Sequence, residues 1–170
     1  LATPPDLLAY THCHADHFDP GFAAAFSGPV LGTDQVAQLL PGKKVSIAPI
    51  SVGSVKVSPV ATRHIGKFTD SHQSLVIQGS IRVWFMGDAT PTQLKQLLPY
   101  GRPKVLIAPF AYATTPLAVR AVQEIAPDHL VLTHLPLRNN DPDGLWQAVE
   151  AMLPQFSMPV LIPELGETIS

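Results

Sequence analysis

"AYTHCHADHF", residues 9–18, sets His12, His14, Asp16 and His17 within six positions of a chain that holds seven histidines in 170 residues. In extended backbone the side chains at i and i+2 share a face, so His12 and His14 can reach one ion while Cys13 points away. A turn at Ala15 would swing Asp16 and His17 towards a second point nearby. Imidazole and carboxylate suit zinc and related divalent ions. Two such ions about 3.5–4 Å apart would make a hydrolytic two-metal centre.

The flanking sequence gives this cluster a scaffold. "DLLAYT" (6–11) reads as a buried strand running into the histidines. "FDPGFAAAF" then opens a helix, with Asp19 as N-cap and Pro20 in its first position. "GPVLG" (28–32) reads as a short strand and "TDQVAQLL" (33–40) as a helix begun by a Thr or Asp cap. "VSIAPI", "SVKVSPVAT" and "QSLVIQGSIRVWFMGD" are β-rich, with a hairpin at Gly79-Ser80. From residue 91 helices and strands alternate. "TQLKQLLP" leads to "KVLIAPF", "PLAVRAVQEIA" to "HLVLTH", and "GLWQAVEAML" to "PVLIP". Such a pattern predicts a layered α/β protein whose helices cover the outer faces of sheets.

Each ion needs more ligands, and three strand ends offer them: His64 in "ATRHIG", Asp88 in "FMGDAT" and His134 in "VLTHLP". Strand ends are where sites on sheets are assembled. Taken singly, each of the three would more often bond backbone at a turn; their joint placement makes them ligand candidates. Cys13 is read as structural from the alternation. His72, before a core strand, is read as structural, with substrate contact as the alternative. His129 is read as a surface residue at a strand start, and Trp84 and Met86 as core. Arg63 and Lys67 flank His64; they would either receive a phosphate or carboxylate or form a solvated loop.

Composition narrows the setting. Apolar residues make up 46% and charged residues 14%, with formal net charge −2, which describes one core-rich globular domain over 1–170. Mean hydropathy is +0.19, yet the longest apolar runs are too short to span a bilayer. Scattered basic residues argue against a nucleic-acid partner. Cys13 is the single cysteine, which fits a reducing, cytoplasmic setting, and no signal peptide is visible. A homo-oligomer is compatible with all of this.

"HCHADH" matches the H-x-H-x-D-H signature of the metallo-β-lactamase fold superfamily, and the chain resembles a member along nearly its whole length. The order is kept: His12, His14, Asp16 and His17, then the isolated His64, the aspartate of "GDAT", and the late histidine of "LTH". The resemblance implies an αβ/βα four-layer sandwich with the site at one edge of two sheets. It further implies that His12, His14 and His64 hold one ion, that Asp16, His17 and His134 hold the other, and that Asp88 bridges them. A bridging hydroxide would be the nucleophile, with Asp16 orienting it. Family members usually carry several strands before the motif, whereas eleven residues precede His12; the expectation is that the first strands are missing from this chain, the alternative being a trimmed variant whose partner surface replaces them.

The expected activity is a dinuclear metal-dependent hydrolysis of a small, anionic or neutral ester, lactone or phosphoester substrate. Zinc is the leading metal, with manganese and iron as alternatives. The segment "TRHIGKFTDSH" lacks a glyoxalase-type "GHTPGH" stretch and is more similar to the lactonase-like and phosphodiesterase-like branch, including the ascorbate-6-phosphate-lactonase-like proteins. Two other classes compete: a di-iron redox domain and a non-catalytic domain on the same fold. Di-iron members usually carry glutamate where His14 stands and have a flavin module beside them. Degenerate members lose ligands, and here all seven candidates are kept.

Overall fold

A computed structural model describes residues 3–66, 70–164 and 166–167. Leu1 and Lys67 therefore lie outside the described residues. In chain order the elements are β1 (Leu8–Ala9), α1 (Pro20–Ala25), β2 (Val30–Leu31), α2 (Asp34–Gln38), β3 (Val45–Ser46), β4 (Ile50–Val52), β5 (Val55–Thr62), β6 (His72–Gln78) and β7 (Arg82–Phe85). There follow β8 (Val105–Pro109), α3 (Pro116–Ile125), β9 (His129–Thr133), α4 (Leu145–Met152) and β10 (Val160–Leu161). Asp19 caps α1 by accepting from Phe22 N–H, and Thr33 caps α2 by accepting from Val36 N–H.

Two sheets form. β1-β2-β3 is parallel; the larger sheet runs β10-β9-β8-β7-β6-β5-β4, parallel from β10 to β7 and antiparallel from β7 to β4. Strand alternation sorts the side chains into layers. On β2, Val30 faces α1 and α2 with Phe18, Ala23, Val36 and Leu40, while Leu31 faces the large sheet with Val57 and Leu75. On β6, Leu75 joins that inter-sheet core and Val76 turns outward to Trp84, Leu106, Val122 and Val149. Helices, small sheet, large sheet and helices thus stack in four layers, as the resemblance implies.

Three local expectations change. Strand 6–11 contracts to Leu8–Ala9, because the chain passes from one sheet to the other. Tyr10 N–H still donates to Leu31 C=O (2.9 Å), but the Thr11 carbonyl already accepts from Gln73 N–H of β6 (2.9 Å). The "VSIAPI" stretch divides into β3 and β4, which belong to different sheets. The helix over 92–99 is a 3₁₀ segment, Pro91–Tyr100. Its buried Leu94 and Leu97 are three residues apart, and three-residue turns place both on the core face.

Candidate metal centre

The predicted turn forms at the motif. Both His17 N–H and Phe18 N–H donate to His14 C=O at 2.9 Å, so the backbone reverses just after His14. Phe18 inserts under α1 and Tyr10 meets its ring edge-on at 4.9 Å, which anchors the turn on both sides. Cys13 leans the other way, against α2, where its thiol contacts Gln35 Oε1 at 3.8 Å.

All seven candidate ligands converge. His12, His14 and His64 bring ligand atoms within 4.8 Å of one another; so do Asp16, His17 and His134, and so do His12, His17 and Asp88. One oxygen, Asp88 Oδ2, lies centrally: 3.3 Å from His17 Nε2, 3.5 Å from His64, 3.7 Å from His134 and 3.9 Å from His12. His17 and His134 bring their Nε2 atoms to 3.1 Å, and Asp16 Oδ2 sits 3.4 and 3.3 Å from them.

The donor set fits divalent cations. His12 is fully buried; its Nδ1 is paired with Thr11 Oγ1 (3.0 Å), while its Nε2 has no hydrogen-bond partner and faces the other candidate ligands. An inward-facing buried nitrogen left without a partner is costly unless something such as a cation takes it up. Burial and the neighbouring His17 push the His12 imidazole down to about 4, which keeps its lone pair available. Burial alone would raise Asp88, but the His17 hydrogen bond and the charges of His134, His17 and His12 outweigh it and hold the carboxyl near about 2. The Asp88 hydrogen bond raises His17. At neutral pH the centre therefore offers ionised carboxylates to a cation.

Backbone geometry aims these groups. His134 has φ 67°, a left-handed conformation uncommon outside glycine, and such strain concentrates at functional sites. Gly87 has φ 53°, and a Cβ there would meet Thr11 side-chain atoms at 2.8 Å, so only glycine fits the turn before Asp88. Asp88 is held on both sides: its N–H donates to His72 Nε2 (3.0 Å) and its carbonyl accepts from Ile65 N–H (2.7 Å).

Asp70 is a neighbour of the cluster that the motif does not announce. Asp70 Oδ2 lies 3.1 Å from His14 Nε2, and that hydrogen bond holds the Asp70 carboxyl below its usual range. Its place in the loop between His64 and His72 was the available cue. His72 proves buried and bonded to the Asp88 backbone. Burial, with His12 and His64 nearby, lowers it to about 3, so it is neutral. His129 starts β9 as expected but is half-buried rather than a surface residue. Trp84 and Met86 are fully buried in the core.

A cavity of about 310 Å³ opens on the cluster, lined by His14, Asp16, His64, Asp88 and His134 together with the apolar Ile65, Pro109, Phe110 and Ala111. Arg63 instead lines a neighbouring cleft that it shares with Asp34, Asp70, His72 and His64. Among the described residues no helix is long and apolar enough to cross a membrane.

No family model matches the chain. A UPF0173 metal-dependent hydrolase of Methanospirillum hungatei is 38% identical over 57 residues, which is 34% of this chain and a quarter (25%) of that protein's length. Solved structures align over nearly the whole chain. Igni18, a metallo hydrolase from Ignicoccus hospitalis, matches with TM-score 0.68 at 19% identity, over 96% of this chain and 78% of its own. A protein of Veillonella parvula described as a possible metal-dependent hydrolase matches with TM-score 0.71 at 15% identity, over 96% and 75%. CmlA, a diiron β-hydroxylase from Streptomyces venezuelae, matches with TM-score 0.69 at 16% identity, over 94% of this chain but 44% of its own. The architecture is that of the metallo-β-lactamase fold.

Proposed function

We propose that this metallo-β-lactamase-fold chain is a metal-dependent hydrolase that works with two divalent ions on a small molecule. The observation that carries the reading is the placement of one carboxylate oxygen, Asp88 Oδ2, 3.3–3.9 Å from the Nε2 atoms of His12, His17, His64 and His134. His12, His14 and His64 would hold one ion and Asp16, His17 and His134 the other, with Asp88 shared. When bound, such a pair supplies Lewis acidity and lowers the pKa of water towards neutrality.

The chain's own groups supply the rest. Asp16 is exposed at the cavity side and lies within reach of both His17 and His134, so it can orient a water as well as act as a ligand. The apolar wall of Ile65, Pro109, Phe110 and Ala111 restricts bulk water beside the labile bond and receives the substrate's body. An ester, lactone or phosphoester satisfies this arrangement. Zinc suits the nitrogen-rich first set, and manganese or iron suits the carboxylate-containing second set. The single cysteine is consistent with a reducing, cytoplasmic setting.

A second reading is oxidative di-iron chemistry, favoured by the likeness to CmlA, a diiron β-hydroxylase. A panel of phosphodiester, lactone and thioester substrates, run with zinc, manganese and iron in turn, separates the two. Hydrolysis with zinc or manganese supports the hydrolase. Oxygen consumption confined to the iron form, with no hydrolysis by any form, supports the alternative.

A further inference from the structure

His72 lies in a hydrogen-bond circuit that starts and ends on the turn bearing Asp88. Asp88 N–H donates to His72 Nε2 at 3.0 Å, and a backbone amide can only donate, so Nε2 carries no proton. His72 Nδ1 must then carry the ring's proton and give it to Thr62 Oγ1, 2.8 Å away. From the other end, Ser74 Oγ donates to Met86 C=O at 3.1 Å, so Ser74 accepts from Thr62 Oγ–H at 3.0 Å. Thr62 has spent its one proton on Ser74 and can only accept from His72. The two ends assign the same direction independently.

The circuit is fixed by strand register. Thr62 and His72 are direct partners across β5 and β6, and Ser74 lies one same-face step along β6. His72, Ser74 and Asp88 are buried and Thr62 is half-buried, so the ends of the circuit are shielded from water while Thr62 borders a cleft. The circuit grips the 86–88 turn at the Met86 carbonyl and the Asp88 amide, on either side of Gly87, the residue with φ 53°.

We infer that His72, as its neutral Nδ1–H tautomer, is a positioning residue that holds the Asp88 carboxylate where two ions can share it. The role rests on the two-metal reading above. It assigns a function to a histidine outside the proposed ligand sets, bonded to the Asp88 backbone and packed beside the His12 and His64 rings, and it makes Thr62 and Ser74 outer partners of the centre. Outer partners of this kind typically change metal affinity about 10–100-fold when removed.

Two measurements on the whole chain test it. In metal-free, ¹⁵N-labelled protein, long-range ¹H–¹⁵N correlation spectra should show His72 as the Nδ1–H tautomer; an Nε2–H ring or an imidazolium would overturn the assignment. In manganese titrations followed by electron paramagnetic resonance, His72→Leu should weaken binding about 10–100-fold and abolish the exchange-coupled signal. His72→Gln, which keeps an acceptor near the Nε2 position, should restore most of both. Equal loss in the two variants would make His72 a packing residue only, and an intact coupled signal in His72→Leu would refute the role. Wild-type protein that binds no manganese, zinc or iron would end the two-metal reading, and the role with it; a failed rescue in protein that does bind two ions would end the His72 inference alone.

Discussion

Asp88 Oδ2 and His17 Nε2 meet at 3.3 Å, although Asp88 follows β7 of the large sheet and His17 ends the turn that leaves the small one. Their contact spans the join between the two sheets, and the other candidate ligands gather around it. The polar cluster therefore sits at the join of the sheets, beside the apolar inter-sheet core of Leu31, Val57 and Leu75.

Asp88→Asn keeps the shape and removes the negative charge that the four histidines surround. Binding of at least one ion should weaken markedly and turnover should fall by about 10²-fold or more, comparable with losing a strong electrostatic contact. Metal content and rate on any substrate found in the panel are the measurements, with circular dichroism as fold control. Both ions retained at near-full rate would make Asp88 a turn residue only.

Cys13 and His12 are adjacent and face opposite ways. Cys13→Ala should leave metal content unchanged and cost about 1 kcal/mol or less, since the thiol's contacts are with α2. His12→Ala should strip the first ion and the activity with it. Equal metal loss in both variants would refute the opposed placement.

Gly87→Ala puts a Cβ at φ 53° and 2.8 Å from Thr11, so Thr11 or the turn must move. The left-handed conformation alone costs about 1–2 kcal/mol, and the melting temperature should drop by about 5 °C. Because Thr11 also holds His12 Nδ1, metal affinity should fall too. Unchanged melting and affinity would contradict the fit of this turn.

The metal-free protein should lose stability as pH falls below about 6.5. His12 and His72 are held down to about 4 and about 3, so across that window the unfolded chain takes up protons that the folded state refuses. His17 is raised and acts in the opposite sense, but it is one group against two. Chemical denaturation from pH 7.5 to 4.5 measures this; a midpoint that rises on acidification would contradict it.

The convergence of the candidate ligands was legible in the sequence because a short motif carries its own geometry: a turn at Ala15 and strand alternation suffice to oppose Cys13 to its neighbours. His64, Asp88 and His134 were legible as residues just past strands, and "QSLVIQ" was legible as part of a β-rich stretch. Alternation reports a face and not a partner, however. It could not tell that β3 and β4 join different sheets, or that β1 would hand its backbone to β6 after two paired residues. Asp70 and the His72 circuit depend on which residues meet across β5 and β6 and around Asp88, which no local pattern encodes. The 3₁₀ segment was hidden for a related reason, since Leu94 and Leu97 suit either kind of helix by spacing alone.

The central claim is that seven side chains, divided as three, three and a shared Asp88, hold two ions. Elemental analysis of the chain purified without chelator and equilibrated with zinc, manganese or iron measures this directly. About two divalent ions per chain is the predicted result, falling to one or fewer in Asp88→Asn. Saturation of the unaltered chain at a single ion, or no binding at all, would contradict the account.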